Sequence, residues 1–178
     1  MSQQLPCPVC TEPTATVRGE SASLTFYSCP DCGDFGLQMA PDLRNSLLAL
    51  SGDARAALRH VIRWHHEHGP SFVLDSASVR QAITQATPGP RTRAQQVLED
   101  LWRVAADAPF ATIEYNLRRY ALFWLGSAPE MRNVLDAFAE AGIVRIVHKH
   151  PEVYSLHLTP RAWALKEEGF EHSRDLEV

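Results

Sequence analysis

Cys7-Pro8-Val9-Cys10 and Cys29-Pro30-Asp31-Cys32 contain every cysteine of the chain. They form C-x2-C, a gap of eighteen residues, and a second C-x2-C, a spacing read as a four-cysteine zinc site. Two thiolates separated by two residues fold back in a tight turn onto one metal, and two such turns complete a tetrahedron. Pro8 and Pro30 stiffen matching positions of the two turns, and Gly33 supplies permissive backbone after the second. A site closed by four cysteines has no open coordination position, so one structural Zn2+ is expected on Cys7, Cys10, Cys29 and Cys32. Two disulfides, a redox C-x-x-C pair and an iron centre of rubredoxin type draw on the same residues. Disulfides need an oxidising compartment, and Met1 to Leu5 show neither a basic n-region nor an apolar h-region. A reducing, cytoplasmic setting is the expectation.

The residues between the cysteine pairs fit a small β ribbon. Thr14 to Arg18 and Ser23 to Tyr27 predict short strands, with Gly19-Glu20-Ser21 as the turn. So short a stretch cannot build a core from apolar burial alone, and metal binding supplies much of its folding free energy. Over residues 5–37, through Cys-Pro-Val-Cys and Cys-Pro-Asp-Cys-Gly, the chain resembles a zinc ribbon of the treble-turn kind. One departure is Thr11, where the first knuckle of that family often has Gly. The resemblance implies either nucleic-acid binding or protein contact.

The 178 residues are 45% apolar and 21% charged, the balance of an ordinary globular protein, and no apolar run is long enough to span a membrane. A formal net charge of −4 argues against a dedicated nucleic-acid binder. Residues 1–40 carry one Arg against Glu12, Glu20, Asp31 and Asp34. Four thiolates on one Zn2+ make that stretch more acidic still, so a phosphate backbone is repelled there.

Downstream the pattern turns helical. Pro41 and Asp42 open a helix through Leu43, Leu47, Leu48 and Leu50, and Gly52 breaks it. Asp53 opens a second helix to about His68, with Ala57, Leu58, Val61, Ile62 and Trp64 at apolar spacing. Its histidines have two readings. His60, Trp64 and His68 share a face, and His65 and His68 are three apart, which suits a second metal site. A helix C-terminus favouring partial positive charge accounts for the same residues. Phe72-Val73-Leu74 is a short extended piece, and Asp75 or Ser76 caps a helix through Val79 and Ile83 to Thr87. Pro88-Gly89-Pro90 is the strongest linker signal.

Thr92 to Ala106 predicts a helix with Val97, Leu98, Leu101, Trp102 and Val104 inward, ended by Pro109. Phe110 to Gly126 is ambiguous: Ile113, Leu117, Tyr120, Ala121 and Trp124 keep helical spacing, while Ala111 to Tyr115 fits a strand. Ser127-Ala128-Pro129-Glu130 is a helix start, and that helix ends at Gly142. Ile143 to Val147 and Val153 to Leu158 form a hairpin tipped by His148-Lys149-His150-Pro151-Glu152, and Thr159-Pro160 opens a last helix to Glu168. The tail after Gly169 is polar. Helix, turn, helix, hairpin and closing helix over residues 92–169 resemble a winged helix-turn-helix. The stretches that carry it run from Asn133 to Val144, with Ala-Gly-Ile-Val at the helix end, and from Tyr154 to Pro160. Ala162 departs from the Gly that often follows the return strand.

The expected fold class is therefore α+β and mostly helical. It comprises a zinc ribbon (1–40), a helical segment (41–90) and a winged-helix-like domain (91–178). The winged-helix resemblance implies nucleic-acid contact, DNA rather than RNA, through Arg118, Arg119, Arg132, Arg145, His148, Lys149 and His150. Against it, residues 91–178 hold eleven Lys or Arg and thirteen Asp or Glu. The alternative is an adaptor holding a protein partner or a second copy through the acidic ribbon and a helical face. Its layout resembles that of small ribbon-plus-winged-helix proteins of bacterial defence gene clusters. No phosphate loop, nucleophile motif or paired carboxylates appear, so a non-enzymatic protein without a small-molecule substrate is expected. Tyr115, Tyr120 and Trp124 beside Arg118 and Arg119 read as core rather than pocket.

Overall fold

The computed structural model describes residues 4–85, 87–106, 108 and 110–168. Pro109 and the tail after Gly169 lie outside the described residues. The chain divides into two compact units, Met1–Thr87 and Pro88–Val178, and the boundary falls at the Pro88-Gly89-Pro90 break. Among the described residues helix makes up about 48% and two sheets accompany it, so the fold is mixed α and β.

In the first unit, β1 (Gln4–Leu5), β2 (Ala15–Glu20), β3 (Leu24–Cys29) and β4 (Gly33–Gln38) form an antiparallel sheet in sequence order. The turn of the ribbon is Ser21-Ala22-Ser23, not Gly19-Glu20-Ser21. The Ser21 N–H donates to the Leu24 carbonyl at 2.8 Å, while Gly19 sits in β2 beside a register shift opposite Phe26. Gly19 therefore relieves a bulge rather than making a turn. The helices α1 (Pro41–Leu48) and α2 (Gly52–His68) follow, and β5 (Phe72–Leu74) then returns parallel to β4. Asp75 caps α3 (Ser76–Ile83) by a capping box, accepting from Ser78 N at 2.7 Å. That helix stops at Ile83, short of the expected Thr87.

One core serves both the sheet and the helices of this unit. Val9, Ala15, Phe35 and Leu37 from the sheet side meet Leu43, Leu47, Leu58, Ile62, Leu74 and Val79, with all four cysteines in the same cluster. Ribbon and helical segment thus belong to one unit. Trp64 lies outside this core and is 47% exposed, because Ala57, Leu58 and Ile62 define the buried stripe of α2.

In the second unit, α4 (Pro90–Ala105) starts at Pro90, where a missing N–H costs nothing in the first turn. Its inner stripe is Ala94, Val97, Leu98, Leu101, Trp102 and Ala105, while Val104 faces outward. The ambiguous stretch splits into β6 (Ile113–Asn116) and a 3-10 helix (Leu117–Phe123). Both periodicities were real, in succession. Ser127 Oγ accepts from Glu130 N and opens α5 (Ala128–Glu140), and the hairpin β7 (Val144–Lys149) and β8 (Val153–Leu158) precedes α6 (Pro160–Glu168). The sheet order is β6-β8-β7, so β8 is central. His148 and Lys149 belong to β7 rather than to the tip, opposite Ser155 and Tyr154.

Candidate metal centre and hairpin face

The first cysteine pair lies in the connection from β1 to β2, and the second closes the β3–β4 hairpin, where Cys29 faces Gly33. The sheet thereby brings the two knuckles together. Sγ of Cys7 lies 3.8 Å from that of Cys32, and Sγ of Cys10 lies 3.6 Å from that of Cys29. All four sulfurs are within 4.8 Å of one another, and all four residues are buried. Zinc–sulfur bonds of about 2.3 Å in a tetrahedron place sulfurs about 3.8 Å apart, so the cage has the size such an ion needs. These are free thiols, too far apart to be disulfides. The set could hold a metal ion such as zinc.

Without a cation the four sulfurs cannot all carry charge. Hydrogen bonding with Cys10 pulls the Cys7 and Cys29 thiols below their ordinary value, whereas bonding to Cys29 pushes Cys10 up and bonding to Cys10 pushes Cys32 up. A bound divalent ion resolves the conflict by favouring the thiolate at every position.

The knuckles share a backbone feature. Thr11 has φ 67° and Gly33 has φ 95°, both left-handed, each one residue after its C-x2-C. The first turn closes through Thr11 N to the Cys7 carbonyl and Cys7 N to the Glu12 carbonyl, both 2.9 Å. In the second, the Cys32 N–H points at Cys29 Sγ, 3.5 Å away.

Helix α2 holds both knuckles from behind, which the sequence did not reveal. Arg55 donates to the Val9 carbonyl in the first knuckle and to the Leu47 carbonyl of α1. Arg63 donates to the Pro30 carbonyl in the second at 3.1 Å, while Glu67 holds its Nε at 2.8 Å. His66 Nδ1 accepts from Asp34 N at 3.1 Å. The spacing of Arg55, Arg63 and His66 at eight and three residues was the available signal, hidden behind the more conspicuous histidine cluster. No second metal group forms: among the described residues the cysteines are the one set of three or more metal-binding side chains in reach of one another. His65 instead stacks on Phe72 and His68 on Trp64.

The basic residues of the second unit are mostly engaged. Arg119 grips Asp100 through Nε and Nη2, both at 3.0 Å, in a buried cluster that also takes Tyr115 Oη at 2.8 Å and Arg103. Tyr115, Tyr120 and Trp124 are core. Arg118 pairs with Glu152 at 2.6 Å, Lys149 with Asp136 at 2.8 Å, and Arg132 donates to the Pro151 carbonyl at 3.0 Å. Together these three fasten the hairpin to the body of the unit. Arg145, His148 and His150 are exposed on its strand and tip. Among the described residues no helix is long and apolar enough to cross a membrane. Comparison with family models, with curated proteins and with solved structures gave no match.

Proposed function

We propose that the chain is a zinc-stabilised, non-enzymatic adaptor whose partner is another protein or a second copy of itself. Its first unit is then a zinc-ribbon-like scaffold carrying one structural Zn2+, and its second a winged-helix-like module. The ion belongs to Cys7, Cys10, Cys29 and Cys32, and four free thiols suit a reducing compartment such as the cytoplasm. A helix, a strand, a short helix, α5 and a hairpin whose return strand pairs with that first strand support the winged-helix reading.

The observation that carries the adaptor reading is the engagement of the cations. A phosphate backbone needs several uncommitted positive side chains. Arg118, Arg119 and Lys149 are already matched to Glu152, Asp100 and Asp136. The nucleic-acid reading stands second, favoured by exposed Arg145, His148 and His150.

Binding of the zinc-loaded protein to duplex DNA, single-stranded DNA and RNA at about 50 and about 200 mM salt separates the two, since phosphate contacts weaken steeply over that range. The adaptor reading expects no salt-sensitive complex with any of them. Tight low-salt binding, lost when Arg145 and Lys149 are changed to Glu, would reverse the order.

A further inference from the structure

Beside the first knuckle the surface opens into a cleft of about 460 Å³, within the range of ligand-holding clefts. Pro6, Cys7 and Pro8 line it together with the end of β4 and residues along α1 from Pro41 to Leu48. Met39 and Leu48 line it at 62% and 64% exposure, well above what apolar side chains of a self-sufficient surface need. Met39 is steadied by the Thr25 hydroxyl, which approaches its sulfur at 3.0 Å. A thioether on a flexible stem moulds to varied apolar shapes.

The electrostatics of the lining select the occupant. Among the lining residues Arg44 carries the one ordinary charge, is exposed, and makes no side-chain hydrogen bond or ion pair among the described residues. Among the described residues no carboxylate lines the cleft. A guanidinium so placed offers a forked pair of donors that match a carboxylate. Pro6, Pro8 and Pro41 bring no N–H, so those three positions of the wall offer no backbone donor.

We infer that this cleft is a docking site for a protein segment that presents apolar side chains and one carboxylate, with Leu48 and Met39 taking the apolar part and Arg44 the acid. The inference narrows the adaptor reading to one surface and rests on it. Because Cys7 lines the cleft, the metal centre fixes its shape.

The test is selection of a random peptide library displayed on phage against the full, zinc-loaded chain, followed by affinities of the recovered peptides for three proteins. These are the wild type, Arg44→Glu and Leu48→Ser, each checked for zinc content. Recovered peptides should combine apolar residues with Asp, Glu or a free C-terminus, and each substitution should weaken them about tenfold or more. Peptides that bind all three proteins equally would overturn the cleft while leaving protein contact in place. A concentration-dependent dimer that Leu48→Ser abolishes, with no peptide recovered, would give the cleft to a second copy and overturn the peptide. Neither peptides nor self-association would sink the cleft and the adaptor reading together.

Discussion

Thr11 and Gly33 occupy equivalent knuckle positions and the same left-handed backbone, yet only one of them is a glycine. For a β-branched residue that conformation costs on the order of 1–2 kcal/mol. Thr11→Gly should therefore stabilise the zinc-loaded protein by about 1 kcal/mol in denaturant unfolding, its gain reduced by the extra freedom of an unfolded glycine. Gly33→Ala should do the reverse. A Cβ there would lie 2.6 Å from the Cβ and Cγ of His66, so strain and overlap combine to a loss of about 3 kcal/mol. In the second unit Asp100 is the sensitive residue. Removing its carboxylate takes the ion pair from Arg119 and the acceptor from the Tyr115 hydroxyl, and Asp100→Ala should cost about 3–5 kcal/mol. Burial, reinforced by the Asp100 charge, raises the Tyr115 pKa. The fold thus favours neutral tyrosine, and this contribution is whole below about pH 10, where unfolded tyrosine titrates, and fades as pH climbs through the folded value. Tyr115→Phe should flatten the alkaline limb of the stability curve; an unchanged limb would show that another group sets it.

At the scale of elements, α2 is the brace of the metal centre. Arg55 and Arg63 each tie a knuckle carbonyl to the same rigid helix. Arg63→Ala should leave one zinc bound but speed its loss to a chelator, read from the release rate, because the ligands survive and only their support weakens. The elements show what a sequence does and does not disclose. The start of α5 was legible because Ser127, Pro129 and Glu130 are local signals, and the hairpin because two apolar runs flank a polar turn. Strand β4 was missed since Gly33, Asp34 and Gly36 are poor strand formers, and only pairing with β3 and β5 on either side makes it one. Trp64 and Val104 fit helical spacing but face outward, because periodicity gives the width of an apolar stripe and not which edge meets the core. The cysteine cluster was readable from spacing alone. Its helical support and the ion pairs that tie down Arg118, Arg119 and Lys149 depend on side chains far apart in sequence, which no local pattern reports.

For the whole molecule, each unit has its own apolar cluster, and the cysteines belong to that of the first. Chelation should therefore unfold the first unit while the second persists, so that calorimetry of the chelated protein retains only the second unit's transition. Acid should act like a chelator, since thiolates taken up by protons release the metal. The central claim is a closed, four-thiolate zinc centre, and it is tested most directly by titrating the purified protein with a mercurial thiol reagent while following zinc release. The account predicts one zinc per chain, freed in step with the loss of four thiols and lost in Cys7→Ser. Iron in place of zinc, a second zinc that survives the loss of all four cysteines, or thiols that titrate with no metal released would contradict it.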